Sequence, residues 1–258
     1  MGFVKTEKEL DRYFDLSIRE FPGAEILGIM YETDPEIVAR VLPPPLEPAT
    51  EPWALCFIAH YPMTNLGPGY HEGALFVRCQ FEGEVGNYCL SMPIDDEARM
   101  HNGRDIYGFP KKLAKIRLES DGKRVEGSVE RFGHRFVTLR ADLMNKLDQL
   151  PMKVGPTFLF KYSHSVELGR GFDGPVSLIR QRTEIEMESF EMGTGEVVFQ
   201  DSPYDPWSEI QVKNIIAAYY LVSTNRMFPG KIVGEAEPTA FLPYSFSKTD
   251  FMADFEND

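Results

Sequence analysis

The sequence predicts a mainly β or α+β fold: one domain over residues 1–258, with a curved antiparallel sheet or β-barrel around a cavity and short helices on its flanks. Three observations carry this. Short apolar or alternating runs recur from Trp53 onward with turn residues between them. Helical spacing is confined to three brief stretches. No internal repeat or low-complexity linker divides the chain, and 258 residues suffice for one large domain.

Leu10, Tyr13, Phe14, Ile18 and Phe21 stand at helical spacing, so an amphipathic helix is expected within residues 1–22, ended by Phe21-Pro22-Gly23. Ala24 to Tyr31 reads as a strand. Asp34-Pro35 opens a short helix, with aspartate as N-cap and proline at the first helical position, and Pro43-Pro44-Pro45 stops it. Trp53 to Tyr61, Leu75 to Phe81 and Tyr88 to Met92 read as strands, with a turn at Glu82 to Asn87 and a loop from Tyr61 to Tyr70. Asp95 to Asn102 is a short helix. Leu113 to Leu118, Arg124 to Phe132 and Arg135 to Leu143 continue the strands, and a further strand-rich half runs from Thr157 to Gln200. Val212 to Thr224 fits strand or helix, with its β-branched and tyrosine content favouring strand. Gly169 to Gly174 is read as a turn, because no strand-to-helix context makes it a phosphate loop. Residues 245–258 form an acidic tail expected to fray.

A formal charge of -13 opposes a nucleic-acid partner, which needs a basic footprint, and opposes an anionic membrane surface. Cys56, Cys79 and Cys89 form no CxxC and no zinc spacing, so buried free thiols and a reducing, cytoplasmic location are expected. The five histidines show no metal spacing; His60 and His71, flanking the Tyr61 to Tyr70 loop, are candidates to reach the cavity.

The chemistry concentrates in Gly103-Arg104-Asp105-Ile106-Tyr107-Gly108-Phe109-Pro110-Lys111-Lys112-Leu113. A free lysine has a pKa of roughly 10.4 and is almost wholly protonated at neutral pH. Burial among apolar groups and a nearby like charge both disfavour the ammonium form. A neutral amine attacks a ketone and forms a Schiff base. If the chain is extended after Pro110, successive side chains point to opposite faces, so Lys111 and Lys112 do not enter one cavity together.

This segment, with Gly67-Pro68-Gly69-Tyr70-His71-Glu72 and Asp95-Asp96-Glu97, resembles the acetoacetate decarboxylase family. The resemblance spans roughly residues 24 to 235. It implies a β-rich, barrel-like fold, a homo-oligomer, and catalysis without a cofactor through a covalent lysine imine. It gives Lys111 as the Schiff-base residue, Lys112 as the neighbour that modulates its pKa, and Glu72 as the acid of the site. Arg104 is a candidate fork for a substrate carboxylate. Phe109 and Met92 match the apolar pocket wall. Two features of the family are missing: no arginine lies near Ala24, and Cys56 or Phe57 stands where a strand glutamate is expected.

Three readings follow. The first is a decarboxylase of a β-keto acid, acetoacetate or a bulkier analogue, giving a ketone and carbon dioxide. The second is an aldolase–dehydratase using the same lysine on pyruvate and an aldehyde. The third is a non-catalytic protein that binds a small carbonyl compound.

Overall fold

The computed structural model describes residues 2–151, 154–167 and 171–250. Helix α1 (Glu7–Asp15) opens with a capping box between Thr6 and Glu9. It stops short of the helix expected to Phe21. The chain leaves the helix after Asp15, bends at Ile18 and enters a strand that takes Phe21: β1 runs Arg19–Glu32. Pro22-Gly23, expected to end a helix, instead makes a β-bulge, with the register shifting between Phe21 and Ala24 and Gly23 at φ 67°. A bulge tolerates both the missing proline N–H and a left-handed glycine.

Helix α2 (Pro35–Val41) begins as expected, with Asp34 accepting from the Glu36 N–H at 2.9 Å. Then come β2 (Glu47–Pro48), β3 (Trp53–Thr64), β4 (Gly67–Phe81) and β5 (Glu84–Ile94). The predicted loop from Tyr61 to Tyr70 is paired strand, with Tyr61 opposite Tyr70 and His60 opposite His71. Gly69 permits this: a Cβ there would stand 2.1 Å from the Tyr61 carbonyl oxygen. The turn between β4 and β5 narrows to Glu82-Gly83.

Helix α3 (Glu97–Asn102), capped by Asp96, runs directly into a π-helical turn over Gly103–Tyr107. Lys111–Leu113 is a short strand, β6. After it come β7 (Lys115–Ser120), β8 (Arg124–Arg131), β9 (His134–Leu147), β10 (Thr157–Lys161), β11 (Val176–Gln181) and β12 (Thr183–Phe199). A 3₁₀ turn at Trp207–Glu209 precedes β13 (Asn214–Met227), which settles the ambiguous segment as strand. The described chain ends with β14 (Lys231–Ala236), α4 (Pro238–Phe241) and a 3₁₀ stretch over Leu242–Lys248.

These strands form one 14-stranded sheet in the order β14-β11-β10-β5-β4-β3-β1-β13-β12-β9-β8-β7, with β2 on β4 and β6 on β5. Its ends, β14 and β7, do not pair, so the sheet is curved but not a closed barrel. Most pairings are antiparallel; β5 pairs parallel with both β10 and β6, making the sheet mixed. The largest apolar cluster gathers Leu27, Ile29, Phe136 and Leu139 with Trp207 and Phe241. A smaller one, Phe76, Met92, Tyr107, Phe109, Leu159 and Ile179, surrounds the lysine segment. Within the acidic tail, residues 245–250 are ordered against the body, and residues 251–258 lie outside the described residues, as do Gly169 and Arg170 of the glycine-rich stretch. Among the described residues no helix is long and apolar enough to cross a membrane.

Candidate active site

Lys111 follows Phe109-Pro110, leaves the π-helical turn, and pairs in parallel register with Met92 of β5. Alternation along β6 sends its side chain to one face of the sheet and that of Lys112 to the other. On the Lys111 face β4 presents Tyr70 and Glu72, two residues apart. The Lys111 Nζ donates to Glu72 Oε2, and both side chains are 6% exposed. The ring of Phe109 lies 5.6 Å from Nζ and that of Tyr70 5.9 Å. The aliphatic stem of Lys111 passes over Gly103, where a Cβ would stand 2.5 Å from its Cε. The glycine of the Gly-Arg pair is thus required by the path of the lysine.

Together these residues line a cavity of about 260 Å³ with Met92, Phe76, Tyr107, Phe57 and Leu221 among its apolar walls. Tyr61 and Tyr70 also line it. Burial first, and then the charge of Glu72, push both phenols well above their ordinary range. They therefore stay protonated, each hydroxyl keeping a proton to donate. Behind the wall, burial and then Glu72 push the Cys89 thiol up, and Cys56 and Cys79 are likewise buried free thiols, as expected. An amine against a carboxylate in an apolar enclosure combines a nucleophile with a proton acceptor at hydrogen-bonding distance.

Residues 4–236 match the acetoacetate decarboxylase (ADC) family. The chain belongs to the acetoacetate decarboxylase family. An acetoacetate decarboxylase of Burkholderia cenocepacia (strain HI2424) is 28% identical over 230 residues, spanning 85% of this chain and 90% of its own. The crystal structure of the acetoacetate decarboxylase of Legionella pneumophila superposes with a TM-score of 0.76 at 23% identity, covering 91% of this chain and 99% of that one. A third likeness is MppR, an enduracididine biosynthesis enzyme solved with the condensation product of pyruvate and imidazole 4-carboxaldehyde. Its TM-score is 0.73 at 18% identity, over 83% of this chain and 88% of that one. The two structural likenesses speak to the fold.

The acetoacetate decarboxylase fold distributes the remaining candidates unevenly. Met92 and Phe109 line the cavity with Lys111 and Glu72. Lys112 does not: its Nζ bonds the Tyr204 carbonyl at 3.0 Å and Asp250 at 2.9 Å, and lies 3.5 Å from Asp205. Arg104 sits half-buried in the π-helical turn and is absent from the cavity wall; its charge acts instead on Tyr162 and Lys248. His60 and His71 also miss the cavity, because alternation puts them on the face opposite Tyr61 and Tyr70. There they stack with each other, at 4.5 Å between centroids, and bond Glu25 and Asp95.

Two arginines that the sequence reading passed over do line the cavity: Arg19 of β1 and Arg99 of α3. Arg99 is held by Asp96 at 3.4 Å and by the Leu66 and Pro68 carbonyls at 3.3 and 3.1 Å. Its signal was its place four residues before Gly103, one helical turn away on the same face. The signal for Arg19 was masked by the bulge, which sets the alternation of Arg19 and Phe21 against that of Ala24 and Ile26. Where the family carries a strand glutamate, alternation along β3 decides the substitute. Leu55 and Phe57 line the cavity, while Cys56 packs on the other face with its Sγ 4.0 Å from the Tyr31 hydroxyl.

Proposed function

We propose that this protein is a cofactor-free lyase that decarboxylates a β-keto acid through a Schiff base on Lys111. The observation that carries the reading is the Lys111–Glu72 contact inside an apolar cavity. Glu72 takes the proton that frees the amine. The Lys111 Nζ lone pair attacks the ketone carbon, and the resulting carbinolamine loses water, with Glu72 returning a proton to the departing hydroxyl. The iminium then receives the electron pair of the carbon–carboxylate bond as carbon dioxide leaves, the role a cofactor serves elsewhere as electron sink. The enamine is protonated at carbon, and hydrolysis frees the ketone and regenerates Lys111.

The apolar walls support the step in which charge is lost. A carboxylate set against Met92 and Phe109 is poorly solvated, and neutral carbon dioxide is not penalised there. Tyr61 and Tyr70 supply donors for the ketone oxygen as it becomes hydroxyl.

The test is borohydride trapping with acetoacetate, a longer β-keto acid and pyruvate in parallel, followed by peptide mass mapping. The proposal expects a reduced adduct on Lys111 and carbon dioxide release with a β-keto acid. An adduct with pyruvate alone, with condensation activity and no carbon dioxide, replaces it with the aldolase–dehydratase reading. No adduct with any of them leaves the non-catalytic reading.

A further inference from the structure

Alternation along β3 and β4 turns Tyr61, Tyr70 and Glu72 toward the Lys111 cavity and sends His60 and His71 to the other face of the sheet. No metal spacing joins these histidines in the sequence, yet the strand register sets them directly opposite each other. Their rings stack at 4.5 Å between centroids, with 18° between planes. Glu25 of β1 pairs in register with His60, and the Asp95 N–H donates to the His71 carbonyl, so a carboxylate residue flanks each histidine in one row across the sheet.

The hydrogen bonds fix what each ring offers. His60 Nδ1 meets Glu25 Oε2 at 2.9 Å, and His71 Nδ1 meets Asp95 Oδ2 at 2.8 Å. A carboxylate only accepts, so Nδ1 carries the proton and the neutral ring keeps its lone pair on Nε2. Neither Nε2 has a hydrogen-bond partner among the described residues, and the two side chains are 33% and 30% exposed. The carboxylates are themselves held. Burial raises the Asp95 carboxyl, but hydrogen bonds from the His71 ring and amide outweigh it and hold it below its ordinary value of 3.8. The Tyr220 hydroxyl, kept protonated first by burial and then by the Glu25 charge, donates to Glu25. A hydrogen-bonded carboxylate on Nδ1 orients an imidazole for metal ligation and raises its basicity.

We infer that His60 and His71 form a two-nitrogen site for a divalent transition-metal ion, with water completing its coordination. Imidazole suits Zn²⁺, Ni²⁺ and Cu²⁺, whereas Mg²⁺ and Ca²⁺ take oxygen ligands. A tetrahedral ion about 2.0–2.1 Å from each nitrogen needs the two Nε2 atoms roughly 3.3 Å apart, so the stacked ring tips lean together by about 1 Å. The ion clips β3 to β4 on the face away from Lys111. The site does not rest on the chemistry proposed for Lys111, and its test does not read activity.

The test is calorimetric titration of the full chain with ZnCl₂, with MgCl₂ as control. The expected result is saturable binding of one Zn²⁺ per chain and none of Mg²⁺. His60→Gln and His71→Gln each remove saturable binding. Glu25→Gln and Asp95→Asn each weaken it by about 10- to 100-fold. X-ray absorption on the parent loaded with one Zn²⁺ per chain reads the ligands without any variant: two imidazoles with oxygen neighbours are expected. No saturable Zn²⁺ binding overturns the site. So does binding unchanged in both histidine variants, or a spectrum with sulfur ligands or an imidazole count other than two. Unchanged affinity in both carboxylate variants overturns the role of Glu25 and Asp95.

Discussion

Adjacent lysines with opposite fates mark the residue scale. Both are buried, yet Lys111 meets one carboxylate in an apolar cavity while Lys112 is saturated by Asp205, Asp250 and a carbonyl. A single extended step along β6 separates them. Lys111→Met is therefore expected to abolish both borohydride trapping and decarboxylation. Lys112→Met is expected to keep the adduct and most of the activity, and to lose roughly 1.5–3 kcal/mol of stability as charged hydrogen bonds disappear. Trapping yield and thermal denaturation on the two variants separate these effects; equal loss of trapping in both sinks the division of roles. Glu72→Gln keeps the shape and removes the proton acceptor, so imine formation is expected to slow by roughly 10²-fold or more. Single-turnover trapping rates measure it.

At the scale of elements, the turn from α3 to β6 places the nucleophile. Gly103 leaves space for the Lys111 stem, and a Cβ there would meet Cε at 2.5 Å and Cδ at 2.6 Å. Gly103→Ala is expected to displace the amine and lower kcat by up to about 10²-fold, the cost of roughly 1 Å of misplacement. The melting temperature should change little. A kcat within error of the parent would show that the stem relaxes freely. The segment after Lys248 is tied down by charge. Burial raises the Asp250 carboxyl, but hydrogen bonds from Arg131 and Lys112 outweigh it and hold it below its ordinary value of 3.8. A group depressed on folding stabilises fully above its unfolded value, and that contribution is lost as pH falls through the folded value. Asp250→Asn is therefore expected to lower the melting temperature at neutral pH and to converge with the parent as the pH falls through the depressed folded value of Asp250. A constant difference across that range refutes the coupling. The legibility of these elements followed locality. Asp34-Pro35 and the alternation in β3 to β5 are local signals and were readable. The end of α1 was not, because Ile18 and Phe21 continue the helical spacing and only the pairing of Arg19 to Phe21 with β13 selects the strand. Lys111 and Glu72 could be matched to a family motif, whereas Arg19 and Arg99 reach the cavity through a bulge and a helix face that no local spacing specifies.

For the whole molecule, one continuous sheet separates the Lys111 cavity from the paired histidines, and β3 and β4 contribute side chains to both faces. The choice between a curved sheet and a closed barrel was least open to a sequence, since closure requires the distant strands β14 and β7 to meet, and among the described residues they do not. The open, curved sheet leaves the Lys111 cavity at about 260 Å³. Scaling from the cavity of about 150 Å³ that takes benzene gives room for roughly ten non-hydrogen atoms, more than acetoacetate fills. The missing strand glutamate enlarges the apolar share, since Phe57 faces the cavity in its place. A longer β-keto acid should use that surface. Each buried methylene contributes about 0.8 kcal/mol, close to fourfold. The ratio kcat/KM is therefore expected to rise by up to about fourfold per methylene from acetoacetate through 3-oxohexanoate, and to level off or fall by 3-oxooctanoate as the walls are met. Initial rates of carbon dioxide release across the series test this at fixed pH and ionic strength. A maximum at acetoacetate would mean that Arg19 and Arg99 hold the cavity closed around the smallest substrate, and Arg99→Leu should then shift the optimum toward longer chains.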